Sequence, residues 1–183
     1  MGRLNNITTQ SRMNDKDYII LINPFKDKIF RVAKRLLVSV EEAEDATQEV
    51  LLKLWKLRHK FMDYNSPEAF AMTVTKNWCL DRLKSKQAQN LKIVHNNYED
   101  HSQSLQKSIE VNDSLRWVET HMEALPTKQK LVLQLRDIEQ YEFHEIAKIL
   151  EMSEATIRVS LSRARKTIRE KLTQTHNYGI KKH

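Results

Sequence analysis

Six basic side chains, Arg158, Arg163, Arg165, Lys166, Arg169 and Lys171, stand against two acidic ones, Glu154 and Glu170, in the short run from Glu154 to Lys171. The chemistry open to such a run is phosphate holding and base reading. Cationic groups neutralise phosphates, and a guanidinium can bond both major-groove acceptors of a guanine. The residues between the charges decide its form. Ile157, Leu161, Ala164, Ile168 and Leu172 recur at steps of four and three, which predicts a helix with that stripe inward and the charges outside. Ser153 is placed to cap it near Thr156, and Glu154 suits the positive end of its dipole. A shorter helix comes just before, with Phe143, Ile146, Ala147 and Leu150 on one side. Two helices joined by three or four residues, the second one basic, is the helix-turn-helix arrangement, whose second helix enters the major groove. A charged helix face is more often merely solvated, so it is the short joint and the one-sided charge that favour DNA. Glu151 stands where the turn often has glycine, which predicts a strained joint.

The rest of the chain offers no reacting centre. With Gly2 and Gly179 as the only glycines, no phosphate-cradling loop can form, and the seven histidines lie outside any HExxH or CxxC context. Cys79 is the single cysteine, so neither an internal disulfide nor a multi-cysteine zinc site is available, and a reducing compartment fits. The expectation is a protein that is not an enzyme and uses no cofactor or metal. A net charge of +7 suits a polyanionic partner. No apolar run is long enough to cross a bilayer, and MGRLNNITTQ has neither the h-region of a secretory signal nor the Ser or Thr at position 6 that myristoylation wants. A cytoplasmic chain without membrane insertion is expected.

Elements able to position the basic helix are all helical, since few glycines and prolines, 30% charged residues and no alternating run leave no strand signal. Asp15 to Asn23 predicts a first helix with Tyr18, Ile19 and Ile22 inward, and Asn23-Pro24 a restart. From Phe25 the stripe Phe25, Ile29, Val32, Ala33, Leu36 and Leu37 is inward, with Lys26, Lys28, Arg31, Lys34 and Arg35 on the other face. Ser39 and Glu42 have the spacing of a capping box for a helix carrying Ala43, Ala46, Val50, Leu54, Leu57 and Phe61 inward. That helix is acidic first (Glu41, Glu42, Glu44, Asp45, Glu49) and basic later (Lys53, Lys56, Arg58, Lys60), which complements a helix dipole and also suits a partner. Ser66-Pro67-Glu68 starts another helix, apolar on two faces through Phe70, Val74 and Trp78 and through Met72, Cys79 and Leu83, and therefore expected to be sandwiched or bound. Its aromatic and basic residues together suit single-stranded nucleic acid, although core packing is the plainer role for Trp78. Residues 87–112 lose periodicity and read as a linker. Leu115, Val118, Met122 and Leu125, then Val132, Leu135 and Ile138, predict two more helices before the helix-turn-helix. The expected architecture is all-α: a tail over 1–14, a helical domain over 15–86, a linker over 87–112, a second helical domain over 113–174, and a tail over 175–183.

In these residues the chain resembles the extracytoplasmic-function, or group IV, sigma factors of the bacterial sigma-70 superfamily. The resemblance spans nearly the whole chain: Glu44-Asp45-Ala46-Thr47-Gln48-Glu49-Val50 with Trp55 is similar to region 2.2. The segment from Phe70 to Lys84, with Asn77, Asp81 and Arg82, is similar to regions 2.3 to 2.4, and Leu125-Pro126 through Leu172 to region 4. It implies a sigma factor that brings core RNA polymerase to promoters and helps melt them, under the control of an anti-sigma factor. It implies that Asp45, Gln48, Glu49 and Leu52 dock on the polymerase clamp. Asn77, Arg82 and Lys84 would contact the minus-ten element beside the loop from Phe61 to Ser66. Thr156, Arg158, Ser162, Arg163 and Arg165 would meet the minus-35 element. The chain departs from the family at Phe70, usually tryptophan, at Glu151 and Ala155, usually glycine, and at Val159-Ser160, commonly Ser-Arg, which puts the promoter sequence in doubt. The alternative is a dimeric helix-turn-helix regulator without a sigma role, and a more remote one is a protein-binding adaptor.

Overall fold

The computed structural model describes residues 13–37, 39–59, 64, 66–94 and 113–180. Every regular element among them is helical: α1 (Asp15–Ile22), α2 (Lys26–Leu37), α3 (Val40–Lys56), α4 (Pro67–Val94), α5 (Asp113–Glu123), α6 (Thr127–Leu133), α7 (Phe143–Leu150) and α8 (Glu154–Ile180). The first four form an N-terminal half and the last four a C-terminal half.

Local signals set most of the helix starts. Asn14 caps α1 by accepting the Asp17 N–H at 2.9 Å, and Ser66 caps α4 by accepting from Ala69 at 3.2 Å. Ser39 caps α3 through Glu42 N–H at 3.3 Å, but the reciprocal half of the expected capping box is missing. Glu42 instead pairs with Lys86 of α4, and the Ser39 hydroxyl donates to Glu41, whose carboxyl it holds below the usual range. The restart at Asn23-Pro24 is a single 3₁₀ turn, Asn23–Phe25, that runs straight into α2. Proline needs no N–H bond there and its fixed φ suits the turn.

The expected linker and tail begin later than the sequence suggests. Helix α4 continues past Lys86 to Val94, and α8 past Gln174 to Ile180. Neither extension holds a proline, and in the first Gln87, Ala88, Gln89, Leu91 and Lys92 favour helix. The rest of that linker, most of the loop from Phe61 to Ser66, and both chain ends lie outside the described residues.

Helix α2 lays Ile29, Val32, Ala33, Leu36 and Leu37 against Ala43, Ala46, Val50 and Leu54 of α3 and against α4, as their spacing predicts. Helix α4 is sandwiched as expected, with α2 and α3 on one side and α7 on the other. The C-terminal half packs Leu131, Val132, Leu133 and Leu135 against Ile157, Leu161 and Ala164 of α8. Buried side chains of both halves join in one cluster.

One segment departs from α-helical phase. After α6 the chain makes a π-helical turn, Gln134–Ile138, in which Gln134 C=O accepts from Glu139 N–H at 3.0 Å and Leu135 C=O from Tyr141 N–H at 2.9 Å. The wider turn delays the side-chain rotation. Ile138, expected on the inward stripe, is therefore 42% exposed, while Glu139 turns inside.

Candidate nucleic-acid interface

Helices α7 and α8 form the joint that their spacing predicts. Glu151 closes α7 at φ 56° and ψ 45°, a left-handed conformation that a residue with a Cβ adopts at some cost, and Met152 N–H reaches back to Ala147 C=O at 3.1 Å. Ser153 then caps α8 by accepting from Thr156 N–H at 3.2 Å, and the two hydroxyls lie 2.8 Å apart. On α7, Ile146 and Ile149 are the deeply buried pair, and Phe143, Ala147 and Leu150 are half-buried. Ile149 was not on the expected stripe. Helix α7 packs against α4 as well as against α8.

Ile157, Leu161 and Ala164 fix the phase of α8. At 100° per residue, the opposite face presents Ala155, Val159, Ser162, Arg163 and Lys166, with Thr156 beside them, and all six are exposed. Val159 is 50% exposed at the middle of that face, at one of the two positions whose departure from the family puts the promoter sequence in doubt. Arg158 lies to one side, with its guanidinium 3.9 Å from the centre of the Phe143 ring and 3.1 Å from Glu154. Arg165 is engaged within its own half: Nε and Nη2 donate to the two Asp137 oxygens at 2.9 and 2.5 Å. That fork holds its guanidinium more firmly protonated than usual. Arg165 and Asp137 also border an apolar groove of about 730 Å³ with Val118, Met122, Ile138 and Ile168. Thr156, Ser162 and Arg163 thus share one open face, and Arg158 and Arg165 flank it.

The N-terminal half carries two further surfaces. On α3, Asp45, Gln48, Glu49 and Leu52 are all exposed, while Ala46, Thr47, Val50 and Leu54 point into the core. Trp55 extends this stripe and is tied to α1 by its Nε1–H, which donates to Asp15 at 3.1 Å. Asp45, Gln48 and Glu49 also line a cleft of about 450 Å³ with Glu42, Trp78 and Arg82. The structure therefore brings Arg82 to the acidic set, whereas Asn77 and Lys84 stand in solvent, with Lys84 3.7 Å from Asp81. At the start of α4, Tyr64 stacks on Phe70 with ring centres 4.1 Å apart and an angle of 22°. Tyr64 is 42% exposed, so an aromatic platform stands open at the end of the loop. No spacing rule marks a loop tyrosine. Among the described residues no group of His, Cys, Asp and Glu could hold a metal ion, and no helix is long and apolar enough to cross a membrane.

Comparison with known proteins places both halves. Residues 21–89 match the family Sigma-70 region 2, and residues 115–168 match Sigma-70, region 4. The chain is similar to the ECF RNA polymerase sigma factor SigW of Bacillus subtilis (strain 168), at 22% identity over 89% of this chain and 93% of that protein. Its fold is similar to the sigma factor RpoE in complex with the anti-sigma factor NepR from Bartonella quintana. The TM-score is 0.73 at 20% identity, over 86% of this chain and 98% of that one. It is also similar to CnrH in complex with the cytosolic domain of CnrY, with a TM-score of 0.61 at 17% identity over 88% and 90% of the two chains.

Proposed function

Because the chain belongs to the sigma-70 family as an extracytoplasmic-function sigma factor, with region 2 and region 4 both in place, we propose an assignment of its working surfaces. We also propose that it acts in the cytoplasm as a group IV member under an anti-sigma factor. A sigma factor directs core RNA polymerase to promoters and helps melt the DNA. The observation that carries the assignment is the presence, in one chain, of an exposed acidic stripe on α3 and an exposed basic face on α8. A dimeric regulator has use for the second and none for the first.

Asp45, Gln48, Glu49 and Leu52 are the docking surface for core polymerase in this proposal. Their side chains point away from the core, so each is free to meet a partner without loss of packing. Asn77, Arg82 and Lys84 hold the minus-ten strand, and the Tyr64–Phe70 stack offers a surface for an unstacked base. No nucleotide fuel is needed for that step. A base captured on an aromatic face and phosphates held by cations offset an unstacking cost of a few kcal/mol.

On α8, Thr156, Ser162 and Arg163 read the minus-35 element, with Arg158 at the edge. Val159 adds an apolar contact of the kind that recognises a thymine methyl. Arg165 is committed to Asp137 and serves the reading face by bracing α8. An anti-sigma partner is proposed because the RpoE structure that this fold resembles is a complex with one.

Charge reversal at Glu49 tests the docking surface. Glu49→Lys is expected to abolish capture of core polymerase while leaving thermal unfolding within about 0.5 kcal/mol of wild type, as solvent-facing changes do. Retained capture, or an unfolded variant, would overturn the assignment.

A further inference from the structure

Five apolar residues in a row, Tyr18 to Ile22, make up most of the eight-residue helix α1. At 3.6 residues per turn they cannot all face one way. Tyr18 and Ile22 take the inward side and are buried, and the Tyr18 hydroxyl donates to Leu51 C=O of α3 at 2.7 Å. Ile19, whose spacing predicts an inward side chain, is instead 60% exposed, and Ile20 is 73% exposed. Apolar side chains exposed singly are ordinary, whereas a contiguous set of them marks a surface that a partner covers.

Two bonds between α1 and α3 fix where the pair lies. Asp15 accepts from Trp55 Nε1–H at 3.1 Å while Tyr18 reaches Leu51, so α1 runs antiparallel to α3. Ile19 follows Asp15 by one turn, roughly 6 Å along α1 and on the same side of that helix. Leu52 precedes Trp55 by nearly one turn, roughly 4.5 Å in the matching direction along α3. Ile19 is thereby carried beside Leu52, and Ile20 stands next to it on the outer side of α1. Leu52 and Trp55 are themselves exposed. The Trp55 ring is held in place, since the Arg58 guanidinium lies 4.3 Å from its centre and Arg58 also donates to Met13 C=O at 3.3 Å. An aromatic side chain fixed in advance loses less freedom when a partner docks on it.

The patch is continuous with the α3 face proposed above to dock core polymerase, and the inference rests on that reading. Along α3 the outer residues divide by chemistry: Asp45 and Glu49 come first, then Leu52 and Trp55, where α1 adds its isoleucines. Charges across an interface steer encounter and fix register, whereas desolvated apolar anchors supply most of the affinity. A docking surface made of Asp45, Gln48, Glu49 and Leu52 alone is short of such anchors. Ile19 and Ile20 lie just before residues 21–89, which match region 2, so that match gives them no role. A second copy of the chain suits the patch poorly, because a two-fold contact through it would bring two acidic stripes together.

We propose that Ile19 and Ile20 of α1, with Leu52 and Trp55 of α3, form the apolar anchor of the polymerase-docking surface, seated on an apolar patch of core polymerase beside the basic side chains that Asp45 and Glu49 meet. Helix α1 is then a working part of the interface, held in position by the Asp15–Trp55 and Tyr18–Leu51 bonds.

The test uses the full chain and core polymerase, with affinity measured over a salt series. The double variant Ile19→Gln with Ile20→Gln leaves the buried Tyr18 and Ile22 in place, so its thermal unfolding should match that of wild type. It is expected to bind core polymerase at least about tenfold more weakly, because two isoleucines lose their burial. The dependence of its affinity on salt should be unchanged, since no charge is removed, whereas Glu49→Gln should flatten that dependence. Ile19→Leu with Ile20→Leu should bind near the wild-type level. Independently of any loss of affinity, a photoreactive p-benzoylphenylalanine in place of Ile20 should crosslink to a subunit of core polymerase, and excess unlabelled wild-type chain should suppress the crosslink. Wild-type binding by the glutamine variant would overturn the anchor. So would crosslinks that, with polymerase present, join only a second copy of the chain or residues 1–12. If the glutamine variant binds normally while Glu49→Lys loses capture, the α1 anchor falls and the α3 assignment stands. Normal capture by both overturns the two together.

Discussion

Replacement of thymine by deoxyuridine in the minus-35 element removes one methyl group and nothing else, and Val159 is the side chain placed to notice. It sits at the centre of the exposed α8 face, between Ser162 and Arg163, with half of its surface open. Burial of one methyl group is worth about 0.8 kcal/mol, or roughly fourfold in affinity. The wild-type chain should therefore lose about fourfold at one thymine of its preferred sequence. Val159→Ser should bind the unmodified site more weakly and be indifferent to the same replacement. The measurement is fluorescence anisotropy on duplexes in which each thymine is replaced in turn, at fixed salt because phosphate contacts make every affinity salt-dependent. Arg163→Ala provides the contrast, with a loss of about 1–3 kcal/mol in discrimination at a guanine and no change at thymines. Equal sensitivity of wild type and Val159→Ser to deoxyuridine at every position would refute the phase assigned to α8.

Three further outcomes follow from contacts in the two halves. Arg165→Ala should cost region 4 roughly 0.2–1 kcal/mol of stability by denaturant unfolding, the range for an exposed pair, and leave base discrimination unchanged. Tyr64→Ala should weaken binding of a single-stranded minus-ten oligonucleotide by about 1–3 kcal/mol, the worth of one stacked base, without affecting a minus-35 duplex. Burial pushes the Cys79 thiol from 9.0 up to about 12, so the folded chain holds that proton more tightly than the unfolded one. The stability advantage of wild type over Cys79→Ala should be complete below pH 9 and decline as the pH rises toward 12. A pH-independent difference in melting temperature would contradict that burial.

The helix-turn-helix was legible because each of its signals is local. The stripe of Ile157, Leu161 and Ala164, the Ser153 cap and the strained Glu151 all act within a few residues. The acidic stripe on α3 was legible for the same reason. Contacts between the halves were not, since Arg31 and Glu139 are 108 residues apart and leave no periodic trace. By spacing alone Arg31 belongs to a solvated helix face, and its role appears only when a π-helical turn delivers a carboxylate to it. That turn also moved Ile138 outward against its expected phase. Arg165 shows the complementary limit. Its type and position suit DNA, and its fork to Asp137, 28 residues earlier, is a contact that no local pattern marks.

Transcription directed by the purified chain tests the whole account most directly. Core RNA polymerase would be mixed with the protein and a library of duplexes randomised at the minus-ten and minus-35 positions, and the transcribed templates sequenced. The expected result is transcript that depends on the chain and comes from templates sharing two separated elements. Arg163→Ala should alter the upstream preference, and Glu49→Lys should abolish transcription. Transcript independent of the added chain, or a chain that binds its preferred duplex and yields none with core polymerase, would contradict it.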